Sequence, residues 1–482
     1  MSLNGNSSAQ KSTGVISCLI LAVVMVQLDS TIVNISLPTI ANHFNSSASV
    51  VSWCVLAYLL AVSITLLFFG TLCDLFGVKN IILAGYIIFT AFSLFCGISP
   101  NIYILIASRF FQGIGGAALT IGVFVFVPKY FPAFETGKIF GIITTAAALG
   151  TTLGTPIGGF ITGMLSWHWI FLINIPLGLM AIYFVVKKIK NEAVLLKKEI
   201  KRLDFFGLFL YATTVSCFLY VLNKGTSYGW TSPYVLILFA VCVISFVLFI
   251  KYEKTAINPL LDFNLFKNKP FLFTILAGVL AYIFLAGCNF LMPFYLELVM
   301  GLKTSQSGLV LLFYSLPLMF VGPVAGKLSA KYGSTIFCAT AMLIVALASL
   351  IFALLLELSS IYVVILCLSL FGAAFGAFNS PNHNFIKNLS SGSGYGVLFG
   401  TEQTIYRFSM ALGVTIFEMI YSFGFSGTAL NSLDKTTQNY QNILTEGFKN
   451  SFLAGSVLSI TAMVFVLLAT KHFYGKINLI TR

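Results

Sequence analysis

Apolar runs of about 20 residues, long enough for a helix to cross the roughly 30 Å hydrocarbon core of a bilayer, recur along this whole chain. Inside lipid every backbone polar group needs an internal partner, and a helix of this length supplies one. We therefore predict an all-α membrane protein with fourteen transmembrane helices. The predicted spans are residues 15–37, 50–72, 81–98, 102–127, 139–163, 169–186, 205–222, 234–250, 271–299, 308–328, 336–356, 361–378, 395–423 and 448–470.

Composition excludes a soluble protein of this size. Of the 482 residues, 58% are hydrophobic and only 9% are charged, and the mean hydropathy is +0.98. The nine cysteines are scattered without the spacing of a disulfide framework or a metal site, so we expect no metal and no other cofactor. The sequence also lacks the phosphate-binding pattern G-x-x-x-x-G-K-[ST], which disfavours a pump driven by ATP.

Basic residues indicate which loops face the cytoplasm, because cytoplasmic loops of membrane proteins are enriched in Lys and Arg. With both termini inside, all but six of the 27 Lys and Arg residues fall in predicted cytoplasmic segments. Four of the six are predicted to be external, and Arg109 and Arg407 lie within spans. The net charge of +13 therefore reflects topology, and we expect no nucleic-acid partner.

Two charged cytoplasmic segments, 187–204 and 251–270, divide the chain. They enclose two extra spans, so the predicted layout is an N-terminal six-helix half (1–190), linkers with two inserted helices (191–270) and a C-terminal six-helix half (271–482). Many secondary transporters are internal repeats with a substrate site between the halves. A weak repeat supports this layout: the segment from Gly70 to Gly77 after the second span is echoed by the segment from Gly326 to Gly333, where Ala330 replaces Asp74.

Asp29 lies inside the first span, in the sequence LDSTIVNISLP. A charged side chain at the centre of a spanning helix costs about 2.5–3.5 kcal/mol on insertion scales, so it normally faces a protein interior or a wet cavity, where it can relay protons. In the fourth span, Arg109 and Gln112 share one helix face with Gly113 and Gly116, and the buried cation needs a partner there. For both charges the alternative is a purely structural role.

The thirteenth span holds the other intramembrane charges. Glu402 shares a helix face with Tyr406, whereas Arg407 lies on another face and is not positioned to neutralise Glu402 within the helix. Glu402 is therefore predicted to be a second protonatable site, and the alternative is a structural acid near the cytoplasmic end. Glu418 is expected near the external interface, where hydration makes an acid unremarkable.

Three glycines recur at every fourth residue of the fifth span. Gly150, Gly154 and Gly158 form a groove suited to close helix contact. Pro156 removes one backbone hydrogen bond of the helix and permits a kink. The span is therefore a candidate hinge, and the alternative is that these glycines serve only packing.

Six segments, in order, resemble the signatures of the major facilitator superfamily and, within it, of the fourteen-span drug:proton antiporters. The segments are LDSTIVNISLP, GTLCDLFGVK, RFFQGIGGAA, GTTLGTPIGG, WHWIFLINIPLG and YLELVMG with its continuation to Gly308. The resemblance covers essentially the whole chain. It is imperfect: Thr155 stands where the family has the proline, Leu75 and Val78 replace basic residues, and His168 replaces an arginine.

The intramembrane charges, together with the resemblance, give expected roles for individual residues. Asp29, Arg109 and Glu402 are expected to couple transport to protons, with Arg109 tuning the protonation of a nearby acid. The expected substrate cavity comprises Asn34, Gln112, Asn289, Tyr406 and Arg407. The expected gating and hinge residues are Asp74, Gly77, Lys79, Gly150, Gly154, Pro156, Gly158 and Gly159. Because two basic residues are missing from the loop after the second span, its latch is expected to be weak, and a simple tight turn is the alternative.

We therefore expect a proton-coupled exporter, and not an enzyme, that moves small amphipathic compounds, cationic or neutral, by alternating access. A first alternative is an exporter of a specific anionic metabolite or siderophore, motivated by Arg109 and Arg407. A second is a membrane sensor that transports nothing. The expected partners are a small-molecule substrate, protons and the lipid bilayer. We expect a monomer in a bacterial cytoplasmic membrane, with both termini cytoplasmic.

Overall fold

The computed structural model describes residues 5–131, 133–189, 204–256, 260–261, 263–356, 360–389, 395–423 and 438–480, and within these ranges it contains helices and no strands. Most of the predicted cytoplasmic segment 187–204 lies outside the described residues. The helices are α1 Gly5–His43, α2 Ala48–Val51, α3 Trp53–Phe76, α4 Val78–Gly97, α5 Ile102–Tyr130, α6 Ala133–Met164, α7 Trp169–Leu172, α8 Asn174–Lys188, α9 Phe205–Tyr228, α10 Pro233–Glu253, α11 Lys269–Phe294, α12 Thr304–Tyr332, α13 Ser334–Leu355, α14 Ile361–Leu389, α15 Tyr395–Phe423 and α16 Gln438–Ile480.

Thirteen segments in the described part of the chain are long and apolar enough to cross a membrane. The remaining predicted span, the thirteenth along the chain, is α15, a helix of 29 residues that carries Glu402, Arg407 and Glu418 and packs among α3, α9, α11 and α16. Its charges lower its hydropathy, but its length matches a spanning helix. The prediction of an all-helical membrane protein is confirmed.

Most helix–helix contacts join helices from the same half of the chain. In the N-terminal group, α1–α8, the principal pairs are α1 with α6, α4 with α5 and α3 with α5. In the C-terminal group, α11–α16, they are α12 with α14, α13 with α16 and α13 with α14. The inserted helices α9 and α10 pack on each other, and α9 also contacts α3 and α15. The insert therefore touches both groups.

The two groups meet mainly along α6 with α12 and α3 with α15. The contacts of the first pair join the second half of α6 to the first half of α12. Thr152 donates a hydrogen bond to the carbonyl oxygen of Ser315 at 3.3 Å, and a Cβ built at Gly159 would lie 2.7 Å from the carbonyl oxygen of Thr304. On the predicted topology this is the external end of both helices.

The weak sequence repeat corresponds to a repeated backbone conformation. Gly77 joins α3 to α4 with φ 84° and ψ 141°, and Gly333 joins α12 to α13 with φ 92° and ψ 134°. Only glycine adopts such positive φ angles without steric cost. The same tight helix-to-helix turn therefore follows the second span of each half-chain.

Candidate functional site

Asp29 is fully buried in α1, and three side chains hold its carboxylate. Nη1 of Arg109 lies 2.6 Å from Oδ2. The amide groups of Gln112 and Asn174 each donate a hydrogen bond of 3.0 Å to Oδ1. Helices α1, α5 and α8 therefore converge on a single acid, as a buried charge requires.

Arg109 is buried as completely as its partner and has further contacts. Its Nε donates to the carbonyl oxygen of Cys54 at 2.9 Å, and Nη1 also donates to Oε1 of Gln112 at 2.7 Å. The guanidinium lies 4.3 Å from the centre of the Tyr58 ring, a cation–π distance. Gln112 in turn donates to the hydroxyl of Ser93 at 2.7 Å. The network thus links α1, α3, α4, α5 and α8.

The sequence predicted Asp29 and Arg109 for proton coupling and Gln112 for the substrate cavity, and the structure brings the three side chains together. Gln112, expected to line the substrate cavity, has its side chain occupied by Asp29, Arg109 and Ser93 and is fully buried. Asn174 was not singled out by sequence reasoning. It begins α8 inside the WHWIFLINIPLG segment, and that family signature was the one signal pointing to it.

A second buried acid lies in the C-terminal group. Glu402 of α15 is 1% exposed, and its Oε1 lies 2.8 Å from Nδ1 of His383 on α14, whose side chain is 26% exposed. The partner of Glu402 therefore comes from a neighbouring helix, and Arg407 is not that partner. Sequence reasoning missed His383, because a lone histidine near a helix end carries no signal of its own in one sequence.

Aromatic and amide side chains surround the Glu402–His383 pair. Tyr406 stacks on Tyr282 with ring centres 4.4 Å apart. The hydroxyl of Tyr406 accepts a hydrogen bond of 2.7 Å from Asn382, and the hydroxyl of Tyr282 donates one of 2.8 Å to Asn379. Tyr406, expected in the substrate cavity, is buried within this cluster.

The other expected cavity residues are only partly buried. Arg407, Asn34 and Asn289 keep part of their surface accessible. The Asn34 amide donates to the carbonyl oxygen of Ser30 at 3.2 Å, while its own oxygen is buried without a hydrogen-bond partner. These three residues are therefore better placed than Gln112 or Tyr406 to meet a small molecule.

The predicted hinge glycines serve two different contacts. At Gly150, Gly154 and Gly158, an added Cβ would in each case lie 3.0 Å from a backbone carbonyl oxygen of α1. Gly159 faces the other way, toward α12. Helix α6 continues without interruption through Pro156. The three-glycine groove therefore packs α6 on α1 within one group, and of the four predicted glycines of α6 only Gly159 lies at the contact between groups.

The loop after α3 is only partly described. The side chain of Asp74 lies outside the described residues, while Lys79 is buried at the start of α4.

His168, in the position of the family's arginine, shares a hydrogen bond of 2.7 Å with the hydroxyl of Ser166. Burial, followed by the nearby His43, lowers the pKa of His168. It therefore lacks an arginine's positive charge at neutral pH.

Glu418 is buried, contrary to the expectation that it would be hydrated near the external interface. Ser422 donates to its Oε1 at 2.6 Å, and the amide of Asn223 in α9 donates to Oε2 at 3.3 Å. The oxygen of Asn223 accepts a hydrogen bond of 2.8 Å from Trp53 in α3. The inserted helix covers the acid, and one asparagine links both groups at the predicted external end.

Nothing in the described part of the chain resembles a metal centre, since no three His, Cys, Asp or Glu side chains cluster there. The candidate site is instead a pair of buried acids, one in each helix group, with Arg109 at 2.6 Å from Asp29 and His383 at 2.8 Å from Glu402. The partly exposed residues Asn34, Asn289 and Arg407 lie on α1, α11 and α15.

Comparison with known proteins agrees with this architecture. The profile of the Major Facilitator Superfamily matches residues 19–414. The riboflavin transporter RibZ of Clostridioides difficile is 35% identical over 405 residues, which cover 83% of this chain and 86% of that protein. The multidrug transporter protein MdtP of Bacillus subtilis is 31% identical over 347 residues, 72% of this chain, and the match spans 63% of its own length.

A solved structure has the same fold. It is that of a bacterial homologue of the human lysosomal transporter Spinster in an inward-facing and unoccupied conformation, with a TM-score of 0.70. The superposition covers 96% of this chain and 98% of the other at 16% sequence identity. At that identity the likeness concerns the fold alone.

Proposed function

This chain belongs to the Major Facilitator Superfamily, and on that premise we propose that it exports small amphipathic compounds in exchange for protons by alternating access. It is an integral membrane protein of a transporter family. The proposed moving parts are the half formed by residues 1–190 and the half formed by residues 271–482. We also propose that it works as a monomer in a bacterial cytoplasmic membrane, with both termini cytoplasmic.

The observation that carries the proposal is the buried Asp29–Arg109 ion pair. A proton bound to Asp29 removes the charge that holds Arg109, Gln112 and Asn174, so their hydrogen bonds to the carboxylate weaken together. Because Arg109 is also tied to the backbone of α3 at Cys54, the change reaches a helix that contacts α15 of the other half. Proton binding and movement of the halves are thereby linked.

The energetics suit this task. One proton supplies about 2.3 kcal/mol per 100 mV of membrane potential and about 1.4 kcal/mol per unit of pH gradient. Together these support a substrate gradient of a few hundredfold per proton. No ATP-binding motif is needed for such an exporter.

The contacts between the halves support alternating access. Those of α6 with α12 lie at the predicted external end, where Gly159 and Gly308 approach each other closely. The hydroxyls of Thr39 and Thr304 add a hydrogen bond of 3.1 Å at the same end. Rocking about the middle of the bundle would open this end and close the opposite one.

The charges also bear on the substrate. A cavity lined by the free carboxylates of Asp29 and Glu402 would suit cationic compounds. Both acids are instead paired with basic side chains. This favours neutral or anionic compounds over cations and strengthens the second candidate function, export of an anionic metabolite.

The test is transport in proteoliposomes with and without an imposed pH gradient. Wild type is expected to accumulate substrate against its gradient only when protons flow the other way. Asp29→Asn keeps the shape of the acid and removes its proton site, so it should lose uphill transport while still inserting and folding. Full gradient-driven transport by this variant would assign Asp29 to structure and leave coupling to Glu402.

A further inference from the structure

We propose that Asn223 of the inserted helix α9 is a positioning residue that holds the external end of the transporter closed by bridging α3 and α15. The inference rests on the proposed transport by alternating access, and it gives the two-helix insert a part in that motion. It is carried by the hydrogen bonds of Asn223, by the helices that supply its partners and by the burial of Glu418.

The side-chain amide of Asn223 is 1% exposed and uses its full hydrogen-bonding capacity. Its oxygen accepts from Nε1 of Trp53 at 2.8 Å and from the hydroxyl of Ser49 at 3.3 Å. Its nitrogen donates to the hydroxyl of Ser52 at 3.4 Å and to Oε2 of Glu418 at 3.3 Å. These contacts fix the amide in one orientation, because a rotated amide would lose its partners.

The partners of Asn223 belong to different halves of the protein. Those in α2, in α3 and between these two helices belong to the N-terminal half, whereas Glu418 lies near the end of α15 in the C-terminal half. Asn223 itself comes from neither half, since α9 belongs to the insert. The insert therefore joins the two halves at their predicted external end through one side chain.

Ring contacts show that α9 packs against both helices. The ring centres of Tyr220 in α9 and Trp53 in α3 are 5.8 Å apart, and those of Phe218 in α9 and Phe408 in α15 are 6.5 Å apart. Helices α3 and α15 form one of the two main contacts between the halves. A rocking motion that opens the external end separates them, so α9 cannot keep its contacts with both.

Opening breaks this bridge at Glu418. Of the four hydrogen bonds of Asn223, three go to the N-terminal half, including the shortest, and one goes to Glu418. Asn223 therefore stays with α3 when α3 and α15 separate. Because its bond to Glu418 exists only in the externally closed conformation, that bond stabilises the closed conformation and not the open one.

Glu418 depends on Asn223 while the external end is closed. The side chain is 1% exposed, and across the described residues no basic nitrogen lies within 4.0 Å of its carboxyl group. Ser422 donates to Oε1, and Asn223 is the donor at Oε2. A buried oxygen that loses its donor is costly, whereas water would reach it at an open external end. Loss of Asn223 therefore penalises the closed conformation specifically.

The proposal is tested by thiol labelling of the purified protein in detergent, without substrate or a pH gradient. In a cysteine-free background, Ser305→Cys reports on the contact of α6 with α12, the other main contact between the halves. Asn223→Leu should raise the labelling rate about two- to tenfold, the shift that one buried hydrogen bond supports. Because the reporter lies on the other helix pair, local loosening of α9 would not change its rate.

Further variants separate the bridge from the shape of its side chains. Glu418→Gln keeps an oxygen that accepts from Asn223 and should label like the parent protein, whereas Glu418→Leu should label as fast as Asn223→Leu. The two leucine variants combined should label no faster than either alone, because they remove the same link. Trp53→Phe keeps the ring beside Tyr220 and removes one anchor of Asn223, so an intermediate rate is expected.

Asn384→Leu is the matched control. The Asn384 amide donates to the carbonyl oxygen of Gly326 at 3.0 Å and to the hydroxyl of Ser329 at 3.1 Å. Its loss removes hydrogen bonds between α14 and α12, within one half. Thermal unfolding should show that Asn384→Leu and Asn223→Leu are both destabilised, but only Asn223→Leu should label faster.

Two results would overturn the bridge. They are parental labelling rates in both leucine variants of the bridge, and an equal increase in Asn384→Leu, which would indicate general loosening. Should Asn223→Leu fail to fold, Glu418→Leu and Trp53→Phe carry the same test. Because labelling needs no gradient, failure of proton-driven transport would refute coupling and leave the bridge standing, whereas unchanged labelling beside intact uphill transport would refute the bridge alone.

Discussion

Arg109 and Asp29 form an ion pair of 2.6 Å between two helices, with side chains 1% and 0% exposed. Such a buried ion pair adds little to the free energy of folding compared with an apolar contact of similar size, because both charges lose their hydration on burial. Removing one partner is costly, since the other charge then stays buried and uncompensated. In the proposed mechanism, this buried pair is the charge that a transported proton would switch.

The stability of the Asp29–Arg109 pair is testable by a double-mutant cycle. Asp29→Asn and Arg109→Gln should each destabilise the protein, by about 3–5 kcal/mol as for other broken buried pairs. The double variant should be more stable than the sum of the two losses predicts, because no unpaired charge remains. Thermal unfolding in detergent measures this, with Lys327→Gln as an exposed control. Additive losses would show that the two charges are not coupled.

The Glu402–His383 pair makes a prediction about proton coupling in the second half. Glu402→Gln and His383→Gln should each reduce uphill transport by a similar factor, and the double variant should be no worse than either, because the two residues act as one unit. The loss should be equal for cationic and neutral substrates, since the buried Glu402 carboxylate lies 2.8 Å from His383 and is engaged there, so it is not a free charge for a cation. Initial rates under a fixed pH gradient provide the measurement.

His472→Gln is the matched control for that experiment, because His472 lies near the end of α16 and stacks on Phe273. Its transport should equal that of wild type. A loss confined to cationic substrates in Glu402→Gln would instead place Glu402 in the substrate cavity.

Substitution of Gly159 tests whether the contact between α6 and α12 closes the external end of the transporter. A Cβ at this position would lie 2.7 Å from the carbonyl oxygen of Thr304 and 3.0 Å from Cα of Gly308, so Gly159→Ala must push α6 and α12 apart. Overpacking of this kind costs about 1–3 kcal/mol. The equilibrium should therefore shift toward the externally open conformation. In a cysteine-free background, a cysteine at Ser305 should react faster, by about tenfold per 1.4 kcal/mol, with an external thiol reagent.

Gly141 on the same helix provides the control, because nothing lies within 4 Å of a Cβ built there. Gly141→Ala should leave the labelling rate unchanged. Equal labelling of Gly159→Ala and wild type would show that the contact between α6 and α12 does not close the external end.

The predicted topology follows from the charge distribution and has its own test. A cysteine at Leu195, in a background without other cysteines, should be protected from impermeant reagents in intact cells, and a cysteine at Lys435 should be labelled. Labelling of position 195 from outside would contradict the fourteen-span arrangement with cytoplasmic termini.

The helical architecture and the residues at the first acid were predictable because each has a local cause. A 20-residue apolar run spans a membrane wherever it occurs, and a lone charge such as Asp29 or Arg109 is conspicuous inside one. The spacing on α15 also correctly separated Glu402 from Arg407. The partners His383, Asn174 and Asn223 gave no comparable signal, since a polar residue near a helix end is ordinary in any sequence.

The sequence by itself determined the number of spans, the likeness to a transporter family and the positions of the intramembrane charges, because hydrophobic length and charge are properties of a segment. Only the tertiary structure decided which charges neutralise each other. Helical periodicity relates residues on one helix, whereas ion pairs such as Asp29–Arg109 and Glu402–His383 join different helices. Electrostatic energy depends on those distances between helices, and they leave Arg407 without a carboxylate partner in the described part of the chain.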